Sequence, residues 1–161
     1  MAIQNFSWVV PDKLAGCALP GKALLPGEDY VFPDLKYLYN NGIRCLLSLT
    51  DRADSFGRLC EKAGMDWIYF PIPDFGIPSD MALYERVINT SVRYLKADSP
   101  VCVHCYAGVG RTGMVLACIV GIYFSISTDD AIDKVRSCRS VLDTDEQRGF
   151  VINFLDGKKK K

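Results

Sequence analysis

VHCYAGVGRTG, residues 103–113, places the only histidine of this 161-residue chain directly before a cysteine. Five residues separate Cys105 from Arg111, Thr112 follows, and glycines stand at 108, 110 and 113. Upstream, Val101-Cys102-Val103 suits a short central parallel strand. Downstream, the apolar run from Gly113 to Ile126 suits a buried helix over about Arg111 to Phe124 and is too short to span a bilayer. A strand, a glycine-rich loop and a helix start, in that order, make an anion site. Successive backbone N–H groups point into the loop, and the helix dipole adds partial positive charge. Gly108 and Gly110 permit the tight curvature. The Lys-Ser/Thr pair of a nucleotide-binding P-loop is missing.

Cys105 opens this cradle. Loop amides, the helix N-terminus and Arg111 all favour its thiolate, a nucleophile aimed at whatever anion the loop holds. Tyr106, Ala107, Gly108, Val109, Gly110 and Arg111 form the expected phosphate-binding loop, and the planar fork of Arg111 can grip two phosphate oxygens. Thr112 is a candidate hydrogen-bond partner for the sulfur. His104 is expected to order the loop rather than act as a base, because a thiolate needs none. The other cysteines, Cys17, Cys45, Cys60, Cys102, Cys118 and Cys138, read as inert and buried. An exposed thiolate oxidises readily, and a neighbouring cysteine could trap it as a disulfide. Cys102 is close in sequence, but strand alternation points it into the sheet.

A thiolate that attacks phosphorus expels an alkoxide or phenoxide, which needs a proton. The proline-rich loop PIPDFGIPSD, residues 71–80, offers Asp74 and Asp80. Asp74 is the candidate general acid, with an ordinary turn aspartate as the plainer reading, and Asp80 serves the start of a helix. Gln147, in DTDEQ at 143–147, is a candidate for positioning the hydrolytic water, while Thr-x-x-Gln is also a helix capping box.

Around these motifs the pattern is α/β, with strand-like runs alternating with amphipathic segments. Strands are expected at Trp8–Val10, Ile43–Leu49 and Trp67–Phe70, besides Val101–Val103. Helices are expected at Pro33–Asn41, with its proline at the start, and at Ser55–Ala63, ending at Gly64. A further helix begins after Ser79 or Asp80, with Met81, Tyr84, Ile88, Val92 and Leu95 facing inward. Two more are capped by Thr128 and Thr144. The length and the absence of repeats indicate one domain over residues 1–157, with a solvated basic tail at 158–161 that lacks a prenylation box. With 19 basic and 19 acidic residues the net charge is zero, which argues against nucleic acid as a partner. The first ten residues lack a signal-peptide pattern, so reduced thiols and a cytoplasmic or nuclear setting are expected.

The motif His-Cys-x5-Arg-Thr resembles the signature of the cysteine-based protein tyrosine phosphatase superfamily. With NFSWVVPDKLAGCALPG at 5–21, PDFG at 73–76 and DTDEQ at 143–147, the chain is more narrowly similar to the small atypical dual-specificity phosphatases of the VHZ type, from Asn5 to about Leu155. The resemblance implies a single domain with a central, mostly parallel sheet flanked by helices. It implies Cys105 as nucleophile, Arg111 as phosphate clamp, Asp74 as acid, His104 and Thr112 in support, and Gln147 positioning water. It further implies a phosphocysteine intermediate without cofactor or metal, and a phosphorylated protein as substrate for a monomeric enzyme. Where similar enzymes often have Glu-Thr-Tyr-Glu-Gln, this chain has Asp143 and Asp145. The variable loop positions carry no lysine, unlike the Cys-Lys-x-x-Lys of phosphoinositide phosphatases, and the loop does not match the His-Cys-Thr-His-Gly of RNA 5′-phosphatases. Those activities, and a phosphate-binding module without turnover, are the alternatives.

Overall fold

Val101–His104 (β5) occupies the middle of a five-stranded sheet, and every element that matters for the site is placed relative to it. The computed structural model describes residues 3–22, 28–142 and 144–159. Strands Ser7–Val10 (β1) and Leu14–Cys17 (β2) form an antiparallel hairpin, and Cys45–Ser48 (β3) and Asp66–Tyr69 (β4) complete the order β1-β2-β5-β3-β4. The four strands from β2 to β4 run parallel. Their registers pair Cys17 with His104, His104 with Ser48, and Ser48 with Tyr69, so all four end on one row. The chain that leaves each strand therefore emerges at the same edge, where α/β sheets bind ligands.

Alternation along the strands separates two cores. Val101 and Val103 face one side with Leu14, Cys45 and Leu47, under helices Met81–Lys96 (α3), Gly110–Phe124 (α4), Thr128–Arg136 (α5) and Asp145–Lys159 (α6). Cys102 faces the other side with Ala15, Cys17 and Leu46, under Glu28–Asn40 (α1) and Phe56–Ala63 (α2). α4 follows the loop directly and is buried along nearly its whole length, as its apolar sequence requires.

Several boundaries differ from the sequence reading. β2 was not expected, because Leu-Ala-Gly-Cys is short and carries a glycine; pairing with β5 makes it a strand. α1 begins before Pro33 and takes it into its interior, where the proline gives up one helix hydrogen bond. α5 is capped by Ser127, whose Oγ accepts from the Asp130 N–H at 3.1 Å, and Thr128 is its first helical residue, donating to Asp156 Oδ1 at 2.7 Å. Lys158 and Lys159 form the last turn of α6, and Lys158 pairs with Glu85, so they are not a loose tail. Lys160, Lys161 and Asp143 lie outside the described residues. Asp80 caps α3, accepting from the Leu83 N–H at 3.0 Å. Tyr84, Ile88, Val92 and Leu95 face inward as the spacing requires, but Met81 is 45% exposed because the first turn projects past the core.

Ile88 is fully buried in the larger core. Ile88→Ala is expected to lower the free energy of unfolding by about 2–5 kcal/mol. Met81→Ala should change it by less than about 0.5 kcal/mol. Denaturant titration of the two variants checks the contrast.

Candidate active site

The loop from Cys105 to Gly110 turns tightly against the end of β2. Gly108 sits at φ +80°, and a Cβ there would lie 2.5 Å from the Cys17 carbonyl oxygen, so the residue must be glycine. This close packing turns the Gly108 N–H onto Cys105 Sγ at 3.3 Å. Cys105 is 3% exposed at the head of α4, where the helix start and a loop amide both favour an anion at its sulfur.

His104 ends β5 and is fully buried. Its Nδ1 is 2.9 Å from the Cys105 carbonyl, which can only accept, so Nδ1 carries the proton. Nε2 then accepts from Ser48 Oγ at 2.6 Å, and Ser48 Oγ accepts in turn from Trp67 Nε1 at 3.0 Å. The chain Trp67, Ser48, His104, Cys105 carbonyl is therefore satisfied at each step, across three parallel strands. Burial, reinforced by the nearby Arg111 charge, lowers the His104 pKa from 6.5 to about 4 against the opposing pull of its carbonyl partner. With both ring nitrogens engaged, the histidine shapes the loop and has no free basic atom for substrate.

Arg111, second residue of α4, is buried. Its Nη1 donates to the Ile72 carbonyl at 2.9 Å and to Leu49 O at 3.4 Å, just past the ends of β4 and β3. Its Nη2 reaches Asp74 Oδ1 at 3.1 Å. Asp74 is 63% exposed and lies in a turn closed by the Gly76 N–H on the Pro73 carbonyl at 2.8 Å. Phe75, also in this turn, takes a left-handed φ of +58° and is 61% exposed. A cleft of about 530 Å³ opens here, lined by Thr50–Arg52, Pro71–Asp74 and Arg111. Gln147 is buried at the start of α6. Its N–H bonds the capping Thr144 Oγ1 at 3.1 Å, while its Nε2 donates to the Gly76 carbonyl at 3.2 Å. It thus ties α6 to the Asp74 turn as well as closing half of a capping box.

Thr112 differs from the expectation. Its Oγ1 is buried without a hydrogen-bond partner among the described residues, and the sulfur's donor is the Gly108 amide. Cys102 points into the sheet as strand alternation requires: its thiol lies on the face opposite Cys105 and contacts Cys17 Sγ at 3.4 Å. Cys138 is exposed rather than buried, because α5 ends at Arg136 and leaves it on the surface. Burial pushes the thiols of Cys45, Cys60 and Cys118 up to about 12, which keeps them protonated. Among the described residues, no group of three or more His, Cys, Asp or Glu side chains is placed to hold a metal ion.

Sequence reasoning missed Arg139. It is 7% exposed, has no carboxylate partner among the described residues, and donates through Nη2 to the Gly108 carbonyl at 2.7 Å and to Asn5 O at 3.0 Å. Its Nη1 donates to Ser7 Oγ at 2.8 Å, and Asn5 Nδ2 reaches the Ala107 carbonyl at 3.1 Å. Gly16 makes room for it, since a Cβ there would stand 2.8 Å from the guanidinium carbon. A second cation thus holds the loop from behind. The available signal was an arginine in Cys-Arg-Ser-Val at 138–141, with nothing local to mark it.

Residues 21–122 match the model of a family described as Tc-R-P, polymorphic toxin system, DSP-PTPase phosphatase. Human dual specificity protein phosphatase CDC14C is 28% identical over 152 residues, covering 92% of this chain and 33% of its own length. Rat cyclin-dependent kinase inhibitor 3 is 28% identical over 151 residues, covering 87% of this chain and 70% of its own. The chain thus spans about a third of CDC14C. A solved structure of kinase associated phosphatase, with its catalytic-site cysteine replaced by serine, superposes with a TM-score of 0.81 at 25% identity, covering 99% of this chain and 98% of that one.

Two outcomes follow from these contacts. The folded imidazole stays neutral to about pH 4, whereas an unfolded histidine takes up its proton near 6.5. Between those values the unfolded state holds more protons, so the contribution is intact above 6.5 and declines towards pH 4, by up to about 3 kcal/mol. His104→Asn should remove that part of the pH dependence in urea titrations at about pH 7 and about pH 4.5. Arg139→Met leaves the Gly108 and Asn5 carbonyls without their donor. Stability is expected to fall by about 1–3 kcal/mol and turnover of an aryl phosphate by roughly 10- to 100-fold, with little recovery in Arg139→Lys, which lacks the fork.

Proposed function

The chain belongs to the DSP-PTPase phosphatase family, and on that premise we propose that it hydrolyses phosphotyrosine, and phosphoserine or phosphothreonine where they fit, in phosphorylated proteins through a phosphocysteine intermediate. One observation carries this reading. Cys105 Sγ is held by a loop amide at the head of α4, and the Arg111 guanidinium and the Asp74 carboxylate meet beside the loop.

The phosphate group enters the loop, where backbone N–H groups and the helix start receive its oxygens. Arg111 is held at one side by the Ile72 carbonyl and offers Nη2 to the incoming dianion, which competes with Asp74 for that donor. The Cys105 thiolate attacks phosphorus. An S–P bond forms, the ester P–O bond breaks, and Asp74 in its acid form gives its proton to the departing oxygen. Water then attacks the phosphocysteine. Asp74 takes up a proton, the S–P bond breaks, and inorganic phosphate leaves with the thiolate restored. Gln147, bonded to the carbonyl of Gly76 in the same turn, positions Asp74 and the water. The negative charge that develops is met by amides and one guanidinium, so the reaction runs without a metal ion.

Phosphate release from a phosphotyrosine peptide in EDTA tests the reading. Activity should vanish in Cys105→Ser. It should fall by roughly 10²- to 10⁴-fold in Asp74→Ala, the range for loss of a general acid, and less on p-nitrophenyl phosphate, whose leaving group needs little protonation. Full activity in Cys105→Ser would overturn the mechanism.

A further inference from the structure

The loop carries no cation at its variable positions, yet two reach it from elsewhere. Tyr106, the residue after the nucleophile, is half-buried, and its ring bears Lys22 Nζ at 4.6 Å from the centroid and the Arg52 guanidinium carbon at 4.7 Å. Both come from chain leaving parallel strands, Lys22 after β2 and Arg52 after β3, so the register that places Cys105 places them too. Both backbones are held. The Lys22 N–H donates to the Leu19 carbonyl at 3.1 Å, the preceding Gly21 N–H to Asp34 Oδ2 at 2.6 Å, and the Arg52 N–H to Thr50 Oγ1 at 3.3 Å.

Neither cation has a salt-bridge partner among the described residues. Two like charges gathered on one ring repel, and the ring's π face offsets part of that. Tyr39 also carries two cations, Lys36 and Arg44. There, however, Arg44 is consumed by the Tyr39 and Ile43 carbonyls, at the N-terminal end of β3 and away from the site. At Tyr106, Arg52 is exposed and lines the same cleft as Arg111 and Asp74. The acidic groups of that cleft, Asp51 and Asp74, limit what it accepts. A lipid headgroup with further phosphate dianions would meet both carboxylates, whereas a single carboxylate needs only one rim cation as its partner.

We propose that Lys22 and Arg52 form an anion subsite on the rim of the phosphate loop, which selects phosphopeptides bearing an acidic side chain next to the phosphorylated residue. This rests on the phosphatase reading above.

The test compares initial rates on phosphotyrosine peptides of equal length flanked by glutamate, alanine or lysine, with p-nitrophenyl phosphate as a substrate that has no flanking residues and phosphatidylinositol phosphate vesicles as a lipid probe. The glutamate peptide is expected to exceed the alanine peptide in kcat/KM by roughly fivefold, through KM, with the lysine peptide poorest and the preference shrinking as salt is raised. In Lys22→Ala/Arg52→Ala the glutamate-to-alanine ratio should collapse towards one. The salt dependence of the wild type carries the test if that variant fails to fold. Equal kcat/KM on the glutamate and alanine peptides, with p-nitrophenyl phosphate turned over, overturns the subsite. Preference for the vesicles that depends on Lys22 and Arg52 overturns the peptide class. No turnover of any substrate overturns the phosphatase reading instead.

Discussion

Four parallel strands that stop on one row, Cys17, His104, Ser48 and Tyr69, are the constraint from which the rest follows. Because they end together, one sheet edge collects the Cys105 loop after β5, the Asp51–Ala53 turn after β3 and the Asp74 turn after β4. The row also supplies the contacts that hold the loop. The Cys17 carbonyl fixes Gly108 from one side, and Ser48 with Trp67 fixes His104 from the other. A one-residue slip would put Ser48 opposite the wrong residue and send its hydroxyl to the other face of the sheet.

The electrostatics divide by depth. His104 is neutral and fully engaged, so it contributes geometry rather than charge. Two buried guanidiniums, Arg111 in front and Arg139 behind, supply positive charge around a buried sulfur, and among the described residues neither is paired with a buried carboxylate. Burial disfavours the charged form of Arg139, and the carbonyls of Gly108 and Asn5 offset part of that. Among the described residues the one carboxylate paired with Arg111, that of Asp74, is exposed, and a dianion can displace it.

Much of this was legible in the sequence where the signal was local. The spacing of His104, Cys105, Arg111 and the glycines announced a strand, loop and helix, the alternation of strands and helices announced the α/β fold, and the resemblance of the motif pointed to the phosphatase family that the family model matches. Gly64 ended α2 as a left-handed cap, and Asp80 began α3. What escaped were features made by distant pairing. β2 is a strand because β5 pairs with it, Pro33 is tolerated inside α1, and Thr112 Oγ1 makes no hydrogen bond among the described residues although it is near the sulfur in sequence. Arg139 is 31 residues from the carbonyl it holds, and Lys22 and Arg52 approach Tyr106 from two other strand ends. Local periodicity carries no information about such contacts.

The central claim is that the Cys105 sulfur becomes covalently bonded to phosphorus during turnover. Mixing the protein with a phosphotyrosine peptide, quenching within the first turnover and mapping the digest by mass spectrometry tests it directly. The account predicts a phosphoryl group on the peptide containing Cys105, appearing as tyrosine product is released and decaying as inorganic phosphate forms. Multiple turnovers with no phosphorylated cysteine at any quench time, and solvent oxygen transferred directly to phosphorus with inversion, would contradict it.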